Sequence, residues 1–264
     1  MATLNVKYYS DCLRRQAEFE MFIPNDMRSD APWEDRKHIK SERPLKTLFL
    51  LHGYSGDPNN WIPVSLCYKY NIAVVIPRGE NGFWTDGIST GHQYGRLIGE
   101  ELPEYIRNTF GLAKSAGDTY IMGLSMGGYG AVRNGLAYPD VFGKIGAMSA
   151  ALIVHDVAKM SEGNGNAVAN FEFYRECFGL PEKVIGSANN PETLVDKLIA
   201  ENKKFPDIYM SCGTEDFLLK NNRVFHDFLN SRNVPHEYVE SKGNHDMTFW
   251  SEYTQKILEW MFRS

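Results

Sequence analysis

The chain is short of cysteine, of unbroken apolar sequence and of positive charge. Each shortage removes a class of function. Only four cysteines, Cys12, Cys67, Cys177 and Cys212, occur in 264 residues. They are scattered, with no C-x-x-C pair and no histidine spacing that would make a zinc site, so no metal is expected. A chain of this length can bury a sizeable core and needs no disulfide scaffold. Free thiols in a reducing compartment are therefore expected, which points to the cytoplasm. No stretch approaches the roughly 20 apolar residues of a membrane helix. The first residues, Met1 to Lys7, lack an apolar core segment, so no signal peptide is expected. Acidic residues outnumber basic ones by 33 to 28, for a net charge of −5. No basic run is interleaved with aromatics. This balance argues against nucleic acid and anionic membrane surfaces as partners. Repeats, low-complexity tracts and clear domain breaks are also missing, so residues 1–264 read as one domain.

What remains is an ordinary globular balance, 43% hydrophobic and 23% charged. Leu4 to Tyr9 and Gln16 to Ile23 read as opening antiparallel strands. Asn25 to Pro44 is charged, contains proline and lacks periodicity, so it reads as an exposed connection. A buried-strand pattern follows at Leu45 to Leu51, and further strands at Asn71 to Pro77, Thr119 to Met122, Lys144 to Ser149, Asp207 to Cys212 and Pro235 to Glu240. Helical spacing appears over Gly95 to Phe110, Gly128 to Ala137, Lys220 to Ser231 and Met247 to Phe262. Between Ala151 and Phe205 the pattern weakens. Only Glu172 to Phe178 and Thr193 to Lys203 read as short helices there, and the segment sits where a cap over a site would be inserted. The β-α alternation predicts an α/β fold, a mostly parallel sheet with helices on both faces.

One motif stands out. Gly123-Leu124-Ser125-Met126-Gly127 reads G-x-S-x-G between a strand pattern and a helix pattern. A serine on such a sharp turn is lifted above the sheet edge with its hydroxyl exposed. The glycines are explained by close approach of strand and helix backbones. A loop serine in a glycine-rich turn is the plainer reading of the bare motif.

A serine hydroxyl is a weak nucleophile unless a base takes its proton and a third group orients the base. Downstream, Asp216 follows the strand Asp207 to Cys212, with Glu215 as the rival acid. A shorter carboxylate holds an imidazole more firmly, which favours Asp216, although an aspartate there also suits a helix cap. His245 lies between the last strand and the last helix. The other six histidines fit less well. His38 is in the charged connection, His155 follows the serine too closely, His226 and His236 fall within regular elements, and His52 and His92 precede the serine. Two backbone N–H groups are expected to cradle a tetrahedral oxyanion. One is that of Met126, at the start of a helix. The other is that of Tyr54 in the loop His52-Gly53-Tyr54-Ser55-Gly56, with Gly53 letting the loop approach. Phe83 and Trp84 are candidate walls of a substrate site. Trp61 is a weaker candidate, better read as core.

The chain resembles the esterase D and tributyrin esterase family, relatives of S-formylglutathione hydrolases and of feruloyl and acetylxylan esterases. The resemblance rests on Leu50 to Gly56, on Asn81-Gly82-Phe83-Trp84-Thr85-Asp86 and on Gly123-Leu124-Ser125-Met126-Gly127-Gly128-Tyr129-Gly130. Cys212 to Leu218, and Gly243-Asn244-His245-Asp246 with Trp250, extend it. It implies an α/β-hydrolase fold and serine carboxylesterase activity on small acyl esters, acetyl to butyryl, acylated sugars among them. It implies no cofactor, a triad of Ser125, Asp216 and His245, and oxyanion donors at Tyr54 and Met126. A thioesterase of S-formylglutathione type, a feruloyl or acetylxylan type of esterase, and a non-catalytic binding protein of the same fold stand as alternatives. The natural ester is not written in these residues. Nor is the oligomeric state, for which a dimer or tetramer stays open.

Overall fold

In the computed structural model, residues 2–24, 43–56 and 59–263 are described. Most of the connection Asn25 to Pro44 therefore lies outside the described residues. Eight strands form one sheet in the order β1-β2-β4-β3-β5-β6-β7-β8. β1 (Ala2–Ser10) and β2 (Arg15–Ile23) pair antiparallel, and β2 runs antiparallel to β4 (Ile72–Pro77). All pairings from β4 onward are parallel, through β3 (Lys46–Leu51), β5 (Thr119–Leu124), β6 (Lys144–Met148), β7 (Asp207–Gly213) and β8 (Glu237–Ser241).

The sequence explains this layering. β4 and β5 are buried at every residue, as strands covered on both faces must be. β1 alternates between exposed and half-buried residues, as befits an edge. Alternate side chains of the central strands feed two separate cores. Phe49, Val75, Ile121 and Ile145 pack on one face. Leu48, Val74, Tyr120 and Met122 pack on the other, under α1 (Val64–Tyr70) and the last helix, α10 (Met247–Met261).

The helix expected from Gly95 begins at Tyr94. It runs as α2 (Tyr94–Arg96), a π turn (Leu97–Glu101) and α3 (Leu102–Phe110). The helix after Ser125 is α4 (Met126–Ala137), and that after Asp216 is α9 (Leu219–Ser231). The stretch between β6 and β7 is more helical than the pattern showed. It holds α5 (Val154–Val157), α6 (Phe171–Phe178), α7 (Pro181–Val184) and α8 (Pro191–Ala200). α5 and α7 have four residues each, about one turn, which is too short to show periodicity. α8 starts two residues before the expected Thr193. Pro191 occupies its first turn, and the Asn190 side chain accepts the Glu192 N–H at 3.1 Å.

Among the described residues no helix is long and apolar enough to cross a membrane. All four cysteines are buried and unpaired.

Candidate active site

The turn between β5 and α4 carries Ser125 at φ +53° and ψ −119°. That conformation is rare for a residue with a Cβ and marks a site where the surroundings hold the backbone under strain. The neighbouring glycines are sterically required. A Cβ on Gly123 would run into the Gly127 carbonyl, and one on Gly127 into the Leu51 carbonyl. The Ser125 N–H donates to Met148 O at 2.9 Å, and its carbonyl accepts from Tyr129 and Ala151. The turn is thus pinned to the ends of two strands.

The three side chains singled out in the sequence meet here. His245 Nε2 lies 2.9 Å from Ser125 Oγ, and His245 Nδ1 lies 2.9 Å from Asp216 Oδ2. With Asp216 ionised, Nδ1 carries the proton and donates to the carboxylate. Nε2 is then free to accept from the serine hydroxyl.

The loops carrying Asp216 and His245 are fastened to one another. Thr214 N–H donates to Ser241 O at 2.8 Å and Glu215 N–H to Gly243 O at 3.0 Å. A Cβ on Gly213 would collide with the Gly243 backbone, so glycine permits this approach. Asp246 then caps α10, accepting from the N–H groups of Thr248 at 2.9 Å and Phe249 at 3.1 Å, which fixes the chain just after His245.

Asp216 is 5% exposed, yet it stays ionised. Burial pushes its carboxyl up. Hydrogen bonds from His245, from the Ser149 hydroxyl and from the Leu218 N–H outweigh burial and hold it below the usual 3.8. The rival Glu215 reaches the Asn244 amide at 3.5 Å instead of the imidazole. Ser149 carries no motif in the sequence. Its only signal there is its place at the end of a central strand.

The other histidines are occupied elsewhere, and His38 lies outside the described residues. His155 sits 2.8 Å from Glu192, His92 sits 3.2 Å from Glu176, and His226 bonds His236 at 2.7 Å. His52 is buried and braces its own loop. Its Nε2 accepts the Gly79 N–H at 3.0 Å and its Nδ1 lies 2.9 Å from Gly53 O.

The Tyr54 and Met126 N–H groups donate to no protein acceptor among the described residues. Gly53 brings its loop against the turn, since a Cβ there would lie 3.4 Å from Ser125 Cβ. The Met126 N–H also opens helix α4, whose dipole favours an anion at that end.

A cleft of about 690 Å³ opens over Ser125. Phe83 lines it, as expected from sequence. Trp84 does not, and this corrects the expectation. Its ring is fully buried against Gly79 and Gly130, and its Nε1 donates to His52 O at 3.2 Å. An indole this large, flanked by glycines, is core that carries the His52 loop. Trp61 packs against the second core, as expected, and also reaches the cleft. It donates to Thr254 Oγ1 at 3.1 Å. The stretch between β6 and β7 supplies Ala151, Ile153, Asp156, Asn166, Val168 and Tyr174 to the same cleft.

Residues 35–261 match the model of a protein family described as putative esterase. The chain belongs to that family. It is 39% identical over 265 residues to an acetyl esterase of Caldicellulosiruptor saccharolyticus, an alignment covering 99% of this chain and 98% of the relative. Two solved structures from Staphylococcus aureus are similar over 99% or more of each chain. FphF, a fluorophosphonate-binding serine hydrolase with substrate bound, has a TM-score of 0.82 at 27% identity. It covers 100% of this chain and 99% of FphF. An S-formylglutathione hydrolase apoenzyme, FrmB, has a TM-score of 0.79 at 28% identity and covers 99% of both chains. The fold is that of an α/β-hydrolase, and the chain is a serine carboxylesterase.

Proposed function

We propose that Ser125, His245 and Asp216 hydrolyse small acyl esters, acetyl to butyryl, through an acyl-enzyme on Ser125. One observation carries this reading: a single imidazole bonds the serine hydroxyl and the buried carboxylate, each at 2.9 Å. Asp216 orients His245 and stabilises its charged form. His245 takes the Ser125 proton as Oγ attacks the ester carbonyl. The Tyr54 and Met126 N–H groups, unclaimed by protein acceptors among the described residues, receive the oxyanion. His245 then protonates the departing alcohol, and water cleaves the acyl-enzyme by the same steps. Phe83 walls the substrate site, and residues 151–205 shape its selectivity. The acetyl esterase relative supports the choice of a short acyl group. Buried, unpaired cysteines support a reducing compartment, the cytoplasm.

A fluorophosphonate probe tests the core of this reading. The purified enzyme should be labelled once, on Ser125, and Ser125→Ala should abolish labelling and lower ester turnover about 10⁴-fold or more. Labelling that survives in Ser125→Ala sinks it.

A second reading, thioester hydrolysis, is favoured by the likeness to the Staphylococcus aureus S-formylglutathione hydrolase. Both readings share the chemistry at Ser125. Comparing kcat/KM for p-nitrophenyl acetate and S-formylglutathione separates them.

A further inference from the structure

The walls of the cleft are lopsided in charge. Among the described residues, no lysine or arginine lines it. Among the described residues, the one carboxylate in its lining is that of Asp156, on the one-turn helix α5 and exposed. This carboxylate is held in place rather than dangling. Asn221 Nδ2 donates to its Oδ2 at 2.8 Å, and its own N–H donates to Ile153 O at 2.9 Å. Among the described residues, its Oδ1 accepts no hydrogen bond and no cation pairs with it. The nearest candidate in sequence, His155, is already taken by Glu192. Aromatic rings of Trp61, Trp250 and Phe217 complete the wall, and the faces of such rings attract cations, not anions.

We propose that Asp156 makes this cleft select esters whose leaving alcohol carries a positive charge, and reject those whose leaving group carries a carboxylate. The proposal rests on the hydrolytic reading of Ser125 given above. Asp156 is exposed, whereas Phe83, Leu124 and Met126 at the cleft floor are buried. The alcohol must depart towards solvent, so the exposed rim is its side of the cleft. There an anchored, unpaired carboxylate attracts a cation at low energetic cost, because its orientation is already fixed by Asn221. Full desolvation is absent at such a rim, so the effect is moderate and sensitive to salt.

The test uses a matched pair of acetate esters. One is acetylcholine; the other is its uncharged carbon analogue, with tert-butyl in place of trimethylammonium. The quantity read is the ratio of their kcat/KM values within each protein, so a general loss of activity cancels. The wild-type ratio should favour the cation by roughly fivefold to tenfold at low salt and shrink as salt is added. Asp156→Asn should bring the ratio close to one, and Asp156→Glu should restore it. A wild-type ratio at or below one, or a ratio unchanged in Asp156→Asn, overturns the proposal. If neither ester is turned over, protection of Ser125 from the fluorophosphonate probe is compared for choline and its tert-butyl analogue. Equal protection overturns the proposal there too. Absence of probe labelling on Ser125 is a different failure, that of the hydrolytic reading itself, and the proposal falls with it.

Discussion

Trp250 Nε1 donates to Ser149 Oγ at 3.0 Å, and the Trp250 ring meets His245 edge-on at 4.9 Å. Ser149 in turn helps hold the ionised Asp216 carboxylate. One indole thus braces both the base and the group behind the carboxylate. Ser149 is fully buried and adopts φ +47°, an unfavourable backbone for a non-glycine residue, which fits a position held for its side chain. Ser149→Ala should lower kcat/KM for p-nitrophenyl acetate about tenfold, the worth of one hydrogen bond to a charged group. KM should stay near its wild-type value, because Ser149 is absent from the cleft wall. A fall carried by KM instead would mean that Ser149 shapes the cleft and not the relay.

Asp216 also links stability to pH. Burial raises its carboxyl, but the hydrogen bonds from His245, Ser149 and Leu218 win, and the folded value lies below the ordinary 3.8. The unfolded chain therefore binds this proton more readily. The stabilisation is present in full above the unfolded value and is lost as pH falls through the folded one. Urea unfolding of the wild type and Asp216→Asn should differ most at neutral pH and converge as pH falls from 3.8 through the lower folded value. A difference that persists unchanged into acid would show that the carboxylate is not held ionised by these bonds.

Trp84 and Trp61 should separate stability from binding. Trp84→Phe removes the bond to His52 O and leaves space beside Gly130, at a cost of about 1–3 kcal/mol. Its urea midpoint should drop while KM changes little. Trp61→Ala should change KM and the preference between acetyl and butyryl p-nitrophenyl esters, with the smaller loss of midpoint. The opposite pattern would return Trp84 to the substrate site.

The two tryptophans also show where sequence stops being informative. Strand and helix patterns place every parallel strand and the strand–turn–helix at Ser125; β4 and β5, buried throughout, read as apolar runs, whereas the edge strand β8 is only half-buried. The meeting of Ser125, Asp216 and His245 was legible because each follows the end of a strand in the required order. Burial of one aromatic against another was not legible. Phe83 and Trp84 are adjacent and both belong to the core, yet only Phe83 also lines the cleft, while Trp84 is seated against Gly79 nearby in sequence and Gly130 46 positions on. Ser149 was hidden for the same reason. Its value lies in partners 67 and 101 positions away, Asp216 and Trp250, which no local pattern reports.

His226 and His236 offer a second pH dependence, away from the cleft. His236 Nδ1 donates to Val234 O at 2.8 Å, so its Nε2 must accept, and it does so from His226 Nδ1 at 2.7 Å. His226 Nε2 is left to accept from Asn230 Nδ2 at 3.1 Å. A second proton on His226, at Nε2, would meet the Asn230 donor. Burial first, and His236 second, lower the His226 value below 6.5, against the opposing pull of Asp227 and Glu240. The unfolded chain therefore binds this proton more readily. Stability is present above pH 6.5 and is lost as pH falls from there through the folded value. Urea midpoints measured from pH 8 to pH 5 should fall less steeply for His226→Gln than for the wild type. Parallel slopes would mean that His226 is not kept neutral in the folded protein. Neither histidine lines the cleft, so probe labelling of Ser125 at pH 8 should be the same in both proteins.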